Sequence, residues 1–141
     1  MYSFIYNAGK LAWLKGEVQP LLDALRVALV TAEYVANKDS HQVFADISHE
    51  VVGTGYSAGG QLLSGVVLTQ DDANDRAVLQ ANSPLWAVGA FTARAALLYK
   101  DSGNPATSPL LAYMNFGADH TVSGEDFNLE WSPEGVLYLG E

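Results

Sequence analysis

From about Glu50 onward, apolar runs recur roughly every ten residues and each is closed by a polar cluster of turn formers. That rhythm leaves little room for helices. QLLSGVVLTQ is followed by DDANDR and then AVLQA, which predicts a hairpin with the Asp- and Asn-rich stretch as its turn. TARAALLYK, residues 92–100, reads as a strand closed by DSGNPATSP, and LLAYMNF continues as the next one. DFNLEWS alternates, with Phe127, Leu129 and Trp131 on one face and Asp126, Asn128 and Glu130 on the other. After the PEG turn, VLYLG is the closing strand. The pattern predicts a mainly β fold, an antiparallel β-sandwich or barrel-like fold.

The first third is mixed. LRVALVTA, residues 25–32, is a short apolar run with β-branched residues and reads as a buried strand. In NAGKLAWLKGEV, Leu11, Leu14 and Val18 follow helical spacing, but Gly9 and Gly16 bracket only six residues. A short helical turn within a mostly extended N-terminal arm, residues 1–20, is the expectation. NKDSHQVFADI is the best helix candidate, with Asp39 or Ser40 as N-cap and Val43, Phe44 and Ile47 as an apolar stripe. One short helix is therefore expected near residues 39–48. No repeat or linker divides the 141 residues, so a single domain over residues 1–141 is expected, long enough to bury a core without metal or disulfide staples.

The 16 Asp and Glu against 7 Lys and Arg give a net charge of -9. The few basic residues are scattered, which argues against direct nucleic-acid binding, because such modules draw affinity from clustered Lys and Arg. No window reaches the ~18 apolar residues that span a bilayer, and the N-terminus lacks a basic n-region, so a soluble product without membrane attachment or export signal is expected. The absence of cysteine excludes disulfides, thiolate zinc sites and a cysteine nucleophile. Charged residues are only 16% of the chain and apolar residues 49%, which implies burial of uncharged surface against neighbours.

The segment VVGTGYSAGGQLLSG concentrates five glycines in residues 51–65. Gly53, Gly55, Gly59 and Gly60 do not match the dinucleotide or P-loop spacing, and a strand rather than a helix N-terminus follows, so these are read as turn and bulge glycines. Gly55-Tyr56-Ser57-Ala58-Gly59 is literally GxSxG, and a hydrolase would pair Ser57 with His120 and Asp119 or Glu125. A nucleophile elbow needs a helix after it, which the β pattern denies. His41, His49 and His120 with Asp39, Asp46 or Glu50 lack zincin spacing, and DDANDR lacks the central Gly and distal Glu of a calcium loop. No catalytic, cofactor-binding or metal-binding residue is therefore assigned. Trp13, Trp86 and Trp131 with seven Tyr could line a ligand groove, though such residues more often fill a core or subunit interface.

Several separated segments, YNAGKLAWLKGEV, LRVALVTAEY, HQVFADISHEVVGTGYSAGGQLLSG, RAALLYKDSG with SPLLAYMNFG, and FNLEWSPEGVLYL, together resemble a family of small structural proteins encoded in tailed-bacteriophage genomes. The most specific piece is F-x-D-I-S-x-E-V-x-G-T-G-Y-x-A-G-G at residues 44–60, while VQPLLDAL departs from the pattern by being more apolar. The resemblance implies a non-enzymatic virion component made in the host cytoplasm, with no catalytic residues to carry over. Net charge suits the outer surface of the head, away from packaged DNA, and low charge density suits lateral contacts. A capsid decoration (cement) protein, a homo-oligomer contacting the major capsid protein or other virion subunits, is the leading expectation. A tail, head-completion or fibre-base component is the alternative. A small serine hydrolase using Ser57 is a remote one. A carbohydrate- or host-binding β module would be signalled by exposed Trp and Tyr in a shallow groove.

Overall fold

Two stretches, residues 27–30 and 95–98, are apolar without interruption, and the structure shows why. The structure, a computed structural model, describes residues 3–140. Its elements are β1 (Ser3–Ile5), α1 (Asn7–Leu14), β2 (Leu25–Val30), β3 (Gln61–Leu62), β4 (Val67–Asp71), β5 (Arg76–Gln80), β6 (Leu85–Lys100), β7 (Leu110–Asn128) and β8 (Leu137–Gly140). They form a five-stranded antiparallel sheet in the order β1-β7-β6-β2-β3 and a three-stranded antiparallel sheet in the order β4-β5-β8. The expected mainly β class is observed as two open sheets. Strand edges are left at β1, β3, β4 and β8, so no barrel closes.

β2 and the second half of β6 lie side by side, from Leu25 opposite Lys100 to Val30 opposite Ala95. Side chains alternate between the two faces of a strand. Val27, Leu29, Ala96, Leu98 and Leu111 join one buried cluster with Leu79 of the small sheet and Ala12 of α1. Ala28, Val30, Ala95, Leu97 and Leu110 join a second, covered by Tyr34, Phe44 and Ile47 from the connection between β2 and β3. With both faces covered, every position from Ala95 to Leu98 is fully buried, and the strand reads as a continuous apolar run rather than an alternating one. The DDANDR hairpin pairs as expected, β4 with β5 in unbroken register from Val67 opposite Gln80 to Asp71 opposite Arg76.

Two expectations are corrected. The helix near residues 39–48 is reduced to a single 3-10 turn at Phe44–Asp46. Local side-chain acceptors and a cross-chain bridge compete successfully with helical bonds there. Asn37 Oδ1 accepts the Asp39 and Ser40 amides, Asp46 Oδ2 accepts those of Gln42 and Val43, and Val43 bridges Pro109. Phe44 nonetheless reaches the core, stacked on Tyr99 at 4.1 Å between centroids.

The α-helix of the described residues instead lies in the segment expected to be an extended arm. β1 pairs with β7, Ser3 opposite Met114 and Ile5 opposite Ala112, and α1 follows at once. Gly9, taken as a helix bracket, lies inside α1. A Cβ there would sit 2.8 Å from Leu110 O and 2.9 Å from Leu111 Cα, so the missing side chain lets the helix approach the sheet. Gly16, with φ +73°, ends it as a left-handed residue.

Candidate functional site

The glycine-rich corner is built around one tyrosine. β2 has no full-length partner on its outer edge: Glu50 bridges Val30, the Val51 amide donates to Leu29 O, and β3 begins only at Gln61. Tyr56 fills part of the gap, its hydroxyl accepting the Leu29 amide at 2.9 Å and donating to Glu50 Oε2 at 2.5 Å. The same carboxylate oxygen accepts the Gly59 amide at 2.7 Å, while Gly59 O accepts the Tyr99 hydroxyl at 2.6 Å. A glycine-loop N–H does hold a carboxylate here, but it is the chain's own Glu50. Burial, then the adjoining Glu50 carboxylate, pushes the Tyr56 hydroxyl's pKa well above the usual tyrosine range. Tyr99 is pushed up to about 12, by burial first and the Asp101 charge second.

The glycines serve this closure. Gly53 lies where a Cβ would be 2.5 Å from Ala90 O, and Gly60, at φ +77°, where one would be 1.8 Å from Val27 O. Their reading as backbone devices holds, with close approach to β2 and β6 as the main reason.

The other residues singled out in the sequence are dispersed. Ser57 is exposed and its carbonyl accepts the Gly60 amide, but its hydroxyl has no hydrogen-bond partner among the described residues. His120 lies on β7 opposite Ala93 with its ring edge-on to Phe116, Asp119 pairs with Arg94 at 3.3 Å, and Glu125 lies opposite Gly89. No hydrogen bond joins any of them to Ser57. His41 meets the Tyr34 hydroxyl at 2.8 Å, His49 meets Ser48 and Glu33, and Asp39 accepts from Asn7. Asp46 caps the 3-10 turn, and those amide bonds hold its carboxyl below the usual carboxylate range. Among the described residues no three His, Asp or Glu side chains converge as a metal site.

What the sequence did not disclose is a groove of ≈620 Å³ between the free edges of the two sheets. β1 lines one side with Phe4 and Ile5, β7 contributes Met114 and Phe116, and the chain from Leu129 to Tyr138 closes the other side with Trp131 and Tyr138. Lys10, Glu130, Ser3 and Ser132 supply polar groups around it. Trp131 is fixed by its Nε1–H, which donates to Asn82 O at 3.1 Å, and Tyr138 lies under the Arg76 guanidinium at 4.7 Å. The aromatic residues were the only signal for it. Of the three tryptophans, Trp86 is core, Trp13 lines a small apolar groove, and Trp131 lines this one.

These features define an open two-sheet β protein with a closed glycine corner and one aromatic-lined groove. Comparison of the chain with protein-family models, with curated proteins and with solved structures gives no match.

Proposed function

We propose that the protein is a non-enzymatic structural component of a tailed-phage virion, a decoration protein bound to the outside of the head as a homo-oligomer in contact with the major capsid protein. The observation that carries this reading is an apolar surface around α1 and the small sheet. Trp13, Pro20, Leu68, Val78, Leu137 and Leu139 line a groove of ≈150 Å³, and the neighbouring Leu14, Leu21 and Leu22 are 88%, 63% and 80% exposed. Leucines displayed at this level suit a subunit contact whose centre is apolar. The net charge of -9 favours a site away from packaged DNA. The sequence resemblance supplies the virion context.

Quantitative mass spectrometry of purified virions tests it. A copy number on the order of hundreds supports decoration, whereas about six or twelve copies move the protein to a ring at the neck or tail. Absence from washed particles ends the reading. Leu14→Glu with Leu22→Glu should leave the melting temperature of the subunit nearly unchanged while sharply reducing its incorporation.

A further inference from the structure

We propose that the groove between β1 and β8 binds a neutral oligosaccharide. Sugars present flat C–H faces beside hydroxyl edges, and a site that recognises them combines planar aromatic surface with hydrogen-bonding groups. Both are present: Trp131 and Tyr138 line the groove, and Glu130, Ser3, Ser132 and Lys10 ring it. Its volume falls within the roughly 300–1,000 Å³ of ligand clefts.

The two rings are held from outside the groove. Asn82 O fixes Trp131, and Arg76, which also pairs with Asp71 at 3.0 Å and with Glu134 at 3.8 Å, fixes Tyr138. Rings already fixed lose little freedom when a ligand stacks on them, which is what a weakly binding sugar site requires. The Lys10 side chain has no partner among the described residues, so its ammonium is free to donate to a ligand oxygen. Net charge selects within the class. A chain at -9 repels anionic glycans and phosphorylated polymers, leaving neutral sugars as the ligand.

The test uses the full chain in isolation, so its result is independent of where the protein sits on a particle. Maltohexaose, cellohexaose and chitohexaose are titrated up to about 10 mM, with tryptophan fluorescence and ligand-observed NMR as readouts. At least one should bind saturably, be weakened about tenfold or more by Trp131→Ala, and be untouched by Trp13→Phe. Tyr138→Ala, an exposed position, gives the same readout if the tryptophan variant fails to fold. Binding by none of the three sugars overturns the proposal. Binding that survives both groove variants overturns it equally.

Discussion

At Gly60 a single hydrogen decides whether β2 and the glycine corner can meet. A Cβ on that residue would lie 1.8 Å from the Val27 carbonyl oxygen, at a φ of +77° that L side chains rarely adopt. Gly60→Ala should therefore cost more than about 4 kcal/mol or abolish folding, because the obstacle is backbone and cannot swing aside. Gly59→Ala, whose added carbon would meet only the Tyr99 hydroxyl at 3.3 Å, should be the milder change, and urea midpoints of the pair will rank them. Tyr56→Phe keeps the ring that packs near Trp86 and Phe91 but removes the hydroxyl. It leaves the buried Leu29 amide without its acceptor and should cost about 1–3 kcal/mol by denaturant titration. Only part of this was legible at residue scale: the sequence marks a corner of backbone glycines with a tyrosine in it, but not that the Glu50 carboxylate would close it. The spacing from Glu50 to Gly59 matches no local motif, because the loop that joins them is organised by β2.

The elements were legible where one pattern dominated. Alternation placed Phe127 and Leu129 inside and Asp126, Asn128 and Glu130 outside, as observed, with Trp131, the third residue expected on the inner face, only partly buried. The helix was misplaced for a physical reason. Propensity counts Gly9 as a breaker and finds a tidy stripe in Val43, Phe44 and Ile47, but propensity is a weak prior against tertiary contacts. Gly9 is tolerated within α1 because the sheet lies against it, and residues 39–48 satisfy their amides through Asn37, Asp46 and the chain before β7. Gly9→Ala separates these influences. It should improve intrinsic helicity by about 1 kcal/mol, yet destabilise the protein, because the new methyl would press on Leu110 and Leu111 backbone atoms; a raised melting temperature would show that α1 packs more loosely.

At the scale of the molecule, titration sets the limits of stability. Asp46, Asp71 and Asp101 all have carboxyl groups held below their ordinary range, by the Gln42 and Val43 amides, by Asn74 and Arg76, and by the Gly103 amide and Arg26 respectively. A depressed folded-state value contributes stability above the unfolded value of about 4 and loses it as pH falls through the lower one. Tyr6, Tyr56 and Tyr99 are displaced upward, mainly by burial, so their contribution is complete below about pH 10 and is lost as pH rises beyond it. Melting temperatures across pH should therefore form a plateau that falls below about pH 4 and above about pH 10. A decline starting near pH 6 would show that other groups control stability. Fold class was readable at this scale because turn clusters punctuate the chain. The groove was not, since it joins residues 3–5, 113–116 and 129–138, which only the sheet order brings together.

That sheet order also has a consequence during synthesis. β1 finds its partner at residues 112–114 and β2 its full-length partner at residues 95–100, so until β6 exists β2 can pair only along its outer edge, with Glu50 and β3. At about 5–20 residues per second, the interval is several seconds, during which the inner edge of LRVALV has no strand to pair with. The β4–β5 hairpin, closed by its own short turn, can form first. The fully buried heart of the protein is thus assembled late, and a nascent chain halted before β6 would expose its most apolar strand to the cell.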